Sequence, residues 1–145
     1  MQNTEINPIR GEFNLDIYRG GELIYEIREK NLVVSSGRQS VARLLGGSGT
    51  NKQVTQISFG TNGTDAADGD VAITGEFKKA INLTVYPETN SVLFQFTLET
   101  GEANGMAIRE FGLLSADNTL FARRAREVIN KTADLRLEGT WKIIF

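Results

Sequence analysis

The residues most suited to chemistry lie in one glycine-rich stretch, GTNGTDAADGDVAIT, which carries Asp65, Asp68 and Asp70. Clustered carboxylate oxygens are what a hard cation such as calcium takes as ligands. The spacing departs from that of an EF-hand loop. Gly60, Gly63 and Gly69 beside Asn and Asp are also the ordinary composition of an exposed connection between strands. The expectation is therefore no metal centre, with these three aspartates as the candidates should one exist. The same glycines match no GxxxxGK[ST] pattern and open no long helix, so they do not build a phosphate cradle. Glu99, Glu102 and Glu110 flank a Gly-Asn turn, but hydrolysis by two carboxylates needs a defined separation and one raised pKa, which this spacing does not supply. Histidine and cysteine are both absent. That removes the commonest general base near neutral pH, the usual zinc ligands, thiol nucleophiles and disulfides. The chain reads as a protein that is not an enzyme and holds no cofactor.

The strongest local charge signal is Arg123, Arg124 and Arg126, with Arg109 on the preceding strand. Side chains alternate along a strand, so Arg124 and Arg126 share one face while Arg123 points with Phe121 and Ala125. They form no single basic patch, and 16 Lys and Arg against 18 Asp and Glu leave a net charge of −2. A nucleic-acid partner is not expected from such a balance. Arginine's planar fork suits carboxylates. The arginines are expected to pair with Glu110, Glu127 or acidic groups of a neighbouring subunit, and Arg109, Arg124 and Arg126 are the candidate subunit-interface residues.

The elements that must hold these groups follow from a hydrophobic period of two. Phe13, Leu15 and Ile17 alternate, Arg19-Gly20-Gly21 supplies a tight turn, and Leu23, Tyr25 and Ile27 return, giving a hairpin over about 12–28. Phe77, Ile81, Leu83 and Val85 form a second inward set. After Pro87-Glu88-Thr89-Asn90 it pairs with Val92, Phe94, Phe96 and Leu98. GMAIREFGLL and LFARRAR make a third hairpin around Ser115-Ala116-Asp117-Asn118. Last, Leu135, Leu137, Trp141, Ile143 and Phe145 line one side of a closing strand. One segment departs from this period: in SSGRQSVARLLGG, Val41, Leu44 and Leu45 fall at helical spacing, Ser36 and Gln39 match a capping box, and Gly46-Gly47 stops the helix. The fold class is all-β, mainly antiparallel: a β-sandwich with one short α-helix near residues 37–45, its Val41/Leu44/Leu45 stripe laid on the sheets. Residues 1–10 are a flexible N-terminal arm and 11–145 one domain, in the usual size range. No apolar run is long enough for a transmembrane helix and the first residues lack the order of a signal peptide, so synthesis in the cytoplasm and no membrane partner are expected.

ETGEANGMAIREFGLLSADNTLFARR resembles a segment that recurs in tail-fibre, baseplate and collar-type structural proteins of tailed bacteriophages. There a glycine-rich turn leads into an I-x-E-x-G-L strand, a D-N or D-G turn and a second strand. Here those elements are Gly105, Ile108, Glu110, Gly112 and Leu113, then Asp117-Asn118, then Leu120-Phe121-Ala122-Arg123. NLVVSSGRQSVARLLGG, VTQISFGTNGT with DVAIT, and KTADLRLEGTWKIIF extend the likeness over most of the chain from Asn31 onward. The resemblance implies a virion structural protein made in the host cytoplasm and acting by assembly. Its partners would be itself as a homo-oligomer, other tail or neck proteins, and tail fibres. Lacking a repetitive shaft or receptor-binding tip, the chain suits a small connector: a collar or neck ring, or a baseplate part that anchors fibres. The alternatives are a capsid-decorating protein and a carbohydrate-binding β-sandwich module, the latter disfavoured by the inward position of Trp141.

Overall fold

In the computed structural model, which describes residues 9–145, nine strands and one helix follow in the order β1 (Arg10–Arg19), β2 (Glu22–Val33), α1 (Ser35–Leu45), β3 (Val54–Gly60), β4 (Phe77–Ala80), β5 (Leu83–Val85), β6 (Ser91–Leu98), β7 (Ala107–Ser115), β8 (Leu120–Asn130) and β9 (Leu135–Ile144). The class is all-β and antiparallel throughout. The nine strands form one sheet in the order β4-β3-β7-β8-β2-β1-β9-β6-β5. It curls like a half-barrel, so the two layers expected of a sandwich are two halves of one continuous sheet. Most of the expected arm, residues 1–8, lies outside the described residues, whereas Arg10 already belongs to β1 and faces Ile144.

Two chain segments carry the curl. Long β2 pairs with β1 over most of its length, then crosses to β8 for Leu32↔Arg123 and Val33↔Ala122 alone. On the other side, the expected continuous strand Phe77–Val85 is broken. β4 pairs with β3 and β5 with β6, and at the step between them the Ile81 N–H donates to Thr55 O and the Asn82 N–H to Gln95 O. Facing edges of a curled sheet impose this: one segment serves both by stepping from one to the other. Leu83, placed inward by the sequence pattern, is half exposed as a result.

The interior is aromatic. Phe13 of β1 lies 4.9 Å from both Trp141 of β9 and Phe111 of β7, and Phe59 of β3 meets Phe96 of β6 at 6.1 Å, so the two halves touch ring to ring. Full burial of each such side chain contributes about 1.5–3 kcal/mol before entropy is subtracted. Leu135, Leu137, Trp141 and Ile143 are buried at the alternate positions expected of β9, while Phe145 is half exposed. In the first hairpin, Gly20 and Gly21 adopt φ of +57° and +84°, the turn the sequence called for. Leu23 and Tyr25, however, stand in solvent while Ile27 is buried. The register shifts next to Ile17/Tyr18, and no strand lies beyond this part of β2 among the described residues.

Helix α1 exists where expected but docks otherwise. Val34 is its N-cap and no side chain caps it: Ser36 Oγ donates to Leu120 O at 2.6 Å, and Gln39 Nε2 donates to Ser35 Oγ. The capping box is thus not formed, because β8 takes the serine first. Nor does the Leu44/Leu45 stripe face the sheet. Both leucines are exposed, Gly37 and Ser40 are buried, and Val41 alone of the three packs on the core. Close approach decides this, since a Cβ on Gly37 would sit 2.2 Å from Phe121 O. Gly37→Ala is expected to lift the helix and cost about 1–3 kcal/mol in thermal unfolding, despite alanine's better helix propensity. No helix among the described residues is long and apolar enough to cross a membrane.

Candidate functional site

The I-x-E-x-G-L strand and its neighbour build the most elaborate polar cluster. Glu110 of β7 and Arg123 of β8 are both buried, with Arg123 Nε donating to Glu110 Oε1 at 2.8 Å. The other Glu110 oxygen accepts the Asn62 and Thr74 N–H groups at 2.8 and 3.0 Å. Arg123 spends its remaining donors on Asp70 at 3.0 Å and on Asn62 O at 2.8 Å. Every partner except the two strand residues comes from the 61–76 loop, so the pair fastens that loop against the outer face of β7 and β8. Ile73 completes the attachment over Gly112, where a Cβ would lie 2.7 Å from its side chain. Val34, Leu114 and Leu120 surround it in a second small core. The sequence signal for this device was an apolar island, DVAIT, inside a polar loop.

Here the alternation argument for the arginines is corrected. A register shift between Leu113 and Leu114 inserts a bulge into β8, so Phe121 enters the main core while Arg123 turns to the loop side. Bulges re-aim side chains in this way. Arg124 and Arg126 both reach Glu29 of β2, at 3.0 and 3.5 Å, and Arg126 lies 5.9 Å over the Tyr25 ring. Arg123 thus has the expected partner Glu110, whereas Arg124 and Arg126 take Glu29 rather than Glu127. Exposed Arg109 lies against Gly63 and, with Arg124, Arg126, Tyr25, Glu29 and Val128, borders an open cleft of about 900 Å³ between β2 and β8.

The three aspartates do not converge. Asp68 forms a two-pronged pair with Arg38 of α1 at 2.8 and 3.0 Å, Asp70 turns to Arg123, and Asp65 is exposed. No group of three potential ligands is gathered among the described residues. Calcium or a chelator is expected to leave the melting temperature unchanged. The three glutamates likewise separate: Glu99 pairs with Arg136, Glu102 with Lys79 and Glu110 with Arg123. Lys131, absent from the sequence reading, is buried and donates to Thr100 O, Asn104 Oδ1 and Thr132 O, which shapes the 99–106 loop; burial pushes its pKa below the usual lysine range.

Several carboxylates have their pKa lowered by hydrogen-bonded partners: Asp68 by Arg38, Glu88 by Lys142, Glu99 by Arg136, and Asp117 by Lys52, Ser115 and Thr119. A folded pKa below the unfolded one lends stability that is complete above the ordinary carboxylate range and is lost as pH falls through the folded value. The melting temperature is therefore expected to stay level from about pH 7 to 5 and to drop below about pH 4.

Two further surfaces are open. At the α1 end, Val41, Leu44, Tyr86, Phe94, Phe121 and Phe145 are among the residues that line an apolar groove of about 500 Å³. On the outer face of β1, β6 and β9, Asn14, Asp16, Arg28, Gln95, Glu138 and Thr140 line a polar depression of about 380 Å³. Trp141 is fully buried and gives that depression no stacking platform. Comparison with known proteins finds no family model that matches this chain, no similar curated protein and no similar solved structure.

Proposed function

We propose that this chain is a virion structural protein of a tailed bacteriophage. It is a small homo-oligomeric connector of the tail, a collar or neck ring or a baseplate part that anchors fibres, and it acts by assembly rather than catalysis. The observation that carries the reading is how the charged side chains of the resembling segment are used. Glu110, Arg123 and Gly112 lock a loop to the sheet, and Asp117 closes the β7–β8 turn with Lys52, Ser115 and Thr119. The motif is thereby a framework, and what the molecule offers outward is strand edge and apolar side chain: Leu23, Ile24, Tyr25 and Val128 at one place, Leu44, Leu45, Tyr86 and Phe145 at another. Exposed apolar groups beside free strand edges favour association with other chains.

Light scattering on the purified chain tests the reading. A discrete homo-oligomer, or co-assembly with tail or neck proteins, is expected; a monomer at all concentrations that joins no virion protein would overturn it. Gold labelling of particles in electron micrographs is expected at the neck or baseplate, and label over the head surface would make it a decorating protein instead.

A further inference from the structure

The part of β2 that the sheet leaves unpaired points to a specific contact between copies, an inference that rests on the homo-oligomeric reading above. Beyond Leu32↔Arg123 the pairing with β8 stops, and Glu22–Asn31 has a strand neighbour on the β1 side alone among the described residues. The guanidinium of Arg124, from the β8 side, donates to Lys30 O, so the peptide groups of Lys30 face away from β1. On the opposite side, Arg28 donates to the carbonyls of Ile27 and of its β1 partner Leu15. Backbone alternation in an antiparallel pair then turns the peptide groups of Glu26 and Arg28 to the open side with those of Lys30. Lys30 O is taken by Arg124, which leaves the peptide groups of Glu26 and Arg28 as the open donors and acceptors beside the exposed Leu23, Ile24 and Tyr25, bordering the open cleft. Such an edge is a template for another strand.

We propose that two copies pair through this edge, antiparallel, about a two-fold axis at Ile27, with Glu26 of each copy opposite Arg28 of the other. Charge selects both the occupant and the register. Sliding the strands by two residues sets Glu26 against Glu26 one way and, the other way, Arg28 against Arg28 flanked by Glu26 against Lys30, whose carbonyl Arg124 already holds. The Ile27-centred register makes two Glu–Arg oppositions and no like-charge one, and directly opposed unlike charges stabilise a strand pair where like charges oppose it. Glu26 and Arg28 are both exposed and adjoin on their own strand at 3.4 Å, with Arg28 also paired to Asp16 of β1 at 2.9 Å. The contact is isologous and closes on itself, so it joins copies in pairs, and a ring made from this chain is a ring of such pairs or two rings face to face.

The absence of cysteine lets engineered thiols report alone. Residues opposed in a hydrogen-bonded pair stand about 5.5 Å apart, within disulfide reach, whereas two copies of the same position, offset along the strands, do not. A mixture of full-length Glu26→Cys and Arg28→Cys is expected to oxidise to a mixed disulfide dimer far more readily than either variant alone. Glu26→Arg is expected to weaken association about tenfold by opposing like charges, and Glu26→Arg with Arg28→Glu to restore it. Thermal melting of each exposed-site variant checks that the fold is retained. Oligomers whose mixed cross-link is no better than the single-variant controls overturn this contact and leave the homo-oligomeric reading standing. Monomers at every concentration overturn both.

Discussion

Replacing Glu110 by alanine is expected to destabilise the protein by about 3–5 kcal/mol, the range for removing one partner of a buried ion pair. The substitution strands the Arg123 guanidinium, whose side chain is 2% exposed, and leaves the Asn62 and Thr74 N–H groups without their acceptor. Glu110→Gln is expected to be nearly as damaging. Both carboxylate oxygens receive donors, so an amide must turn its NH₂ toward one of them. The double variant Glu110→Ala/Arg123→Met is expected to cost less than the sum of its singles, because the unpaired buried charge is gone. Denaturant midpoints measure all three, and limited proteolysis within 61–76 is expected to accelerate in the single variants. A loss below about 1 kcal/mol for Glu110→Ala would mean that water reaches the pair and the loop is fastened by other means.

Trp141→Ala is the second large effect, at about 3–5 kcal/mol. The indole is fully buried, meets Phe13 edge-on at 4.9 Å and donates Nε1–H to Asn31 Oδ1 at 2.6 Å. Trp141→Phe keeps most of the volume but deprives Asn31 of that donor, so about 1–3 kcal/mol is expected from that variant. As the sole tryptophan, Trp141 also reports its own environment. Its emission is expected to shift to longer wavelength on unfolding and to be insensitive to added oligosaccharide in the folded state. A blue shift or quenching by a glycan would point to a ligand face that the buried position of Trp141 does not predict.

Much of the fold was legible because a half-buried strand repeats every two residues. That rule placed Phe13, Leu15 and Ile17, Phe94, Phe96 and Leu98, and the alternation of β9 through Trp141. The turns at Gly20-Gly21 and Asp117-Asn118 followed from residues that tolerate positive φ. The rule failed where contacts distant in sequence outweighed local pattern. Leu44 and Leu45 have the spacing of a buried stripe, yet Gly37 and Ser40 allow the helix closer to β8, so the smaller face packs. Leu23 and Tyr25 have the spacing of an inward set, yet among the described residues no strand covers them. The Arg123 direction was misjudged because a bulge is invisible to strict alternation.

For the candidate site, residue types alone determined which chemistry is unprovided for: without histidine or cysteine the chain lacks the commonest catalytic and zinc-binding side chains, and its charges nearly cancel. Beyond Glu110, already among the expected partners of the arginines, tertiary structure alone decided which opposite charges meet. Asp68 goes to Arg38, Asp70 and Glu110 to Arg123, and Glu29 to Arg124 and Arg126, pairings that span between 13 and 97 residues of chain. The physical reason is range. Strand alternation and turn chemistry depend on neighbours in sequence, whereas an ion pair or an open strand edge depends on which strands the curl of the sheet brings side by side.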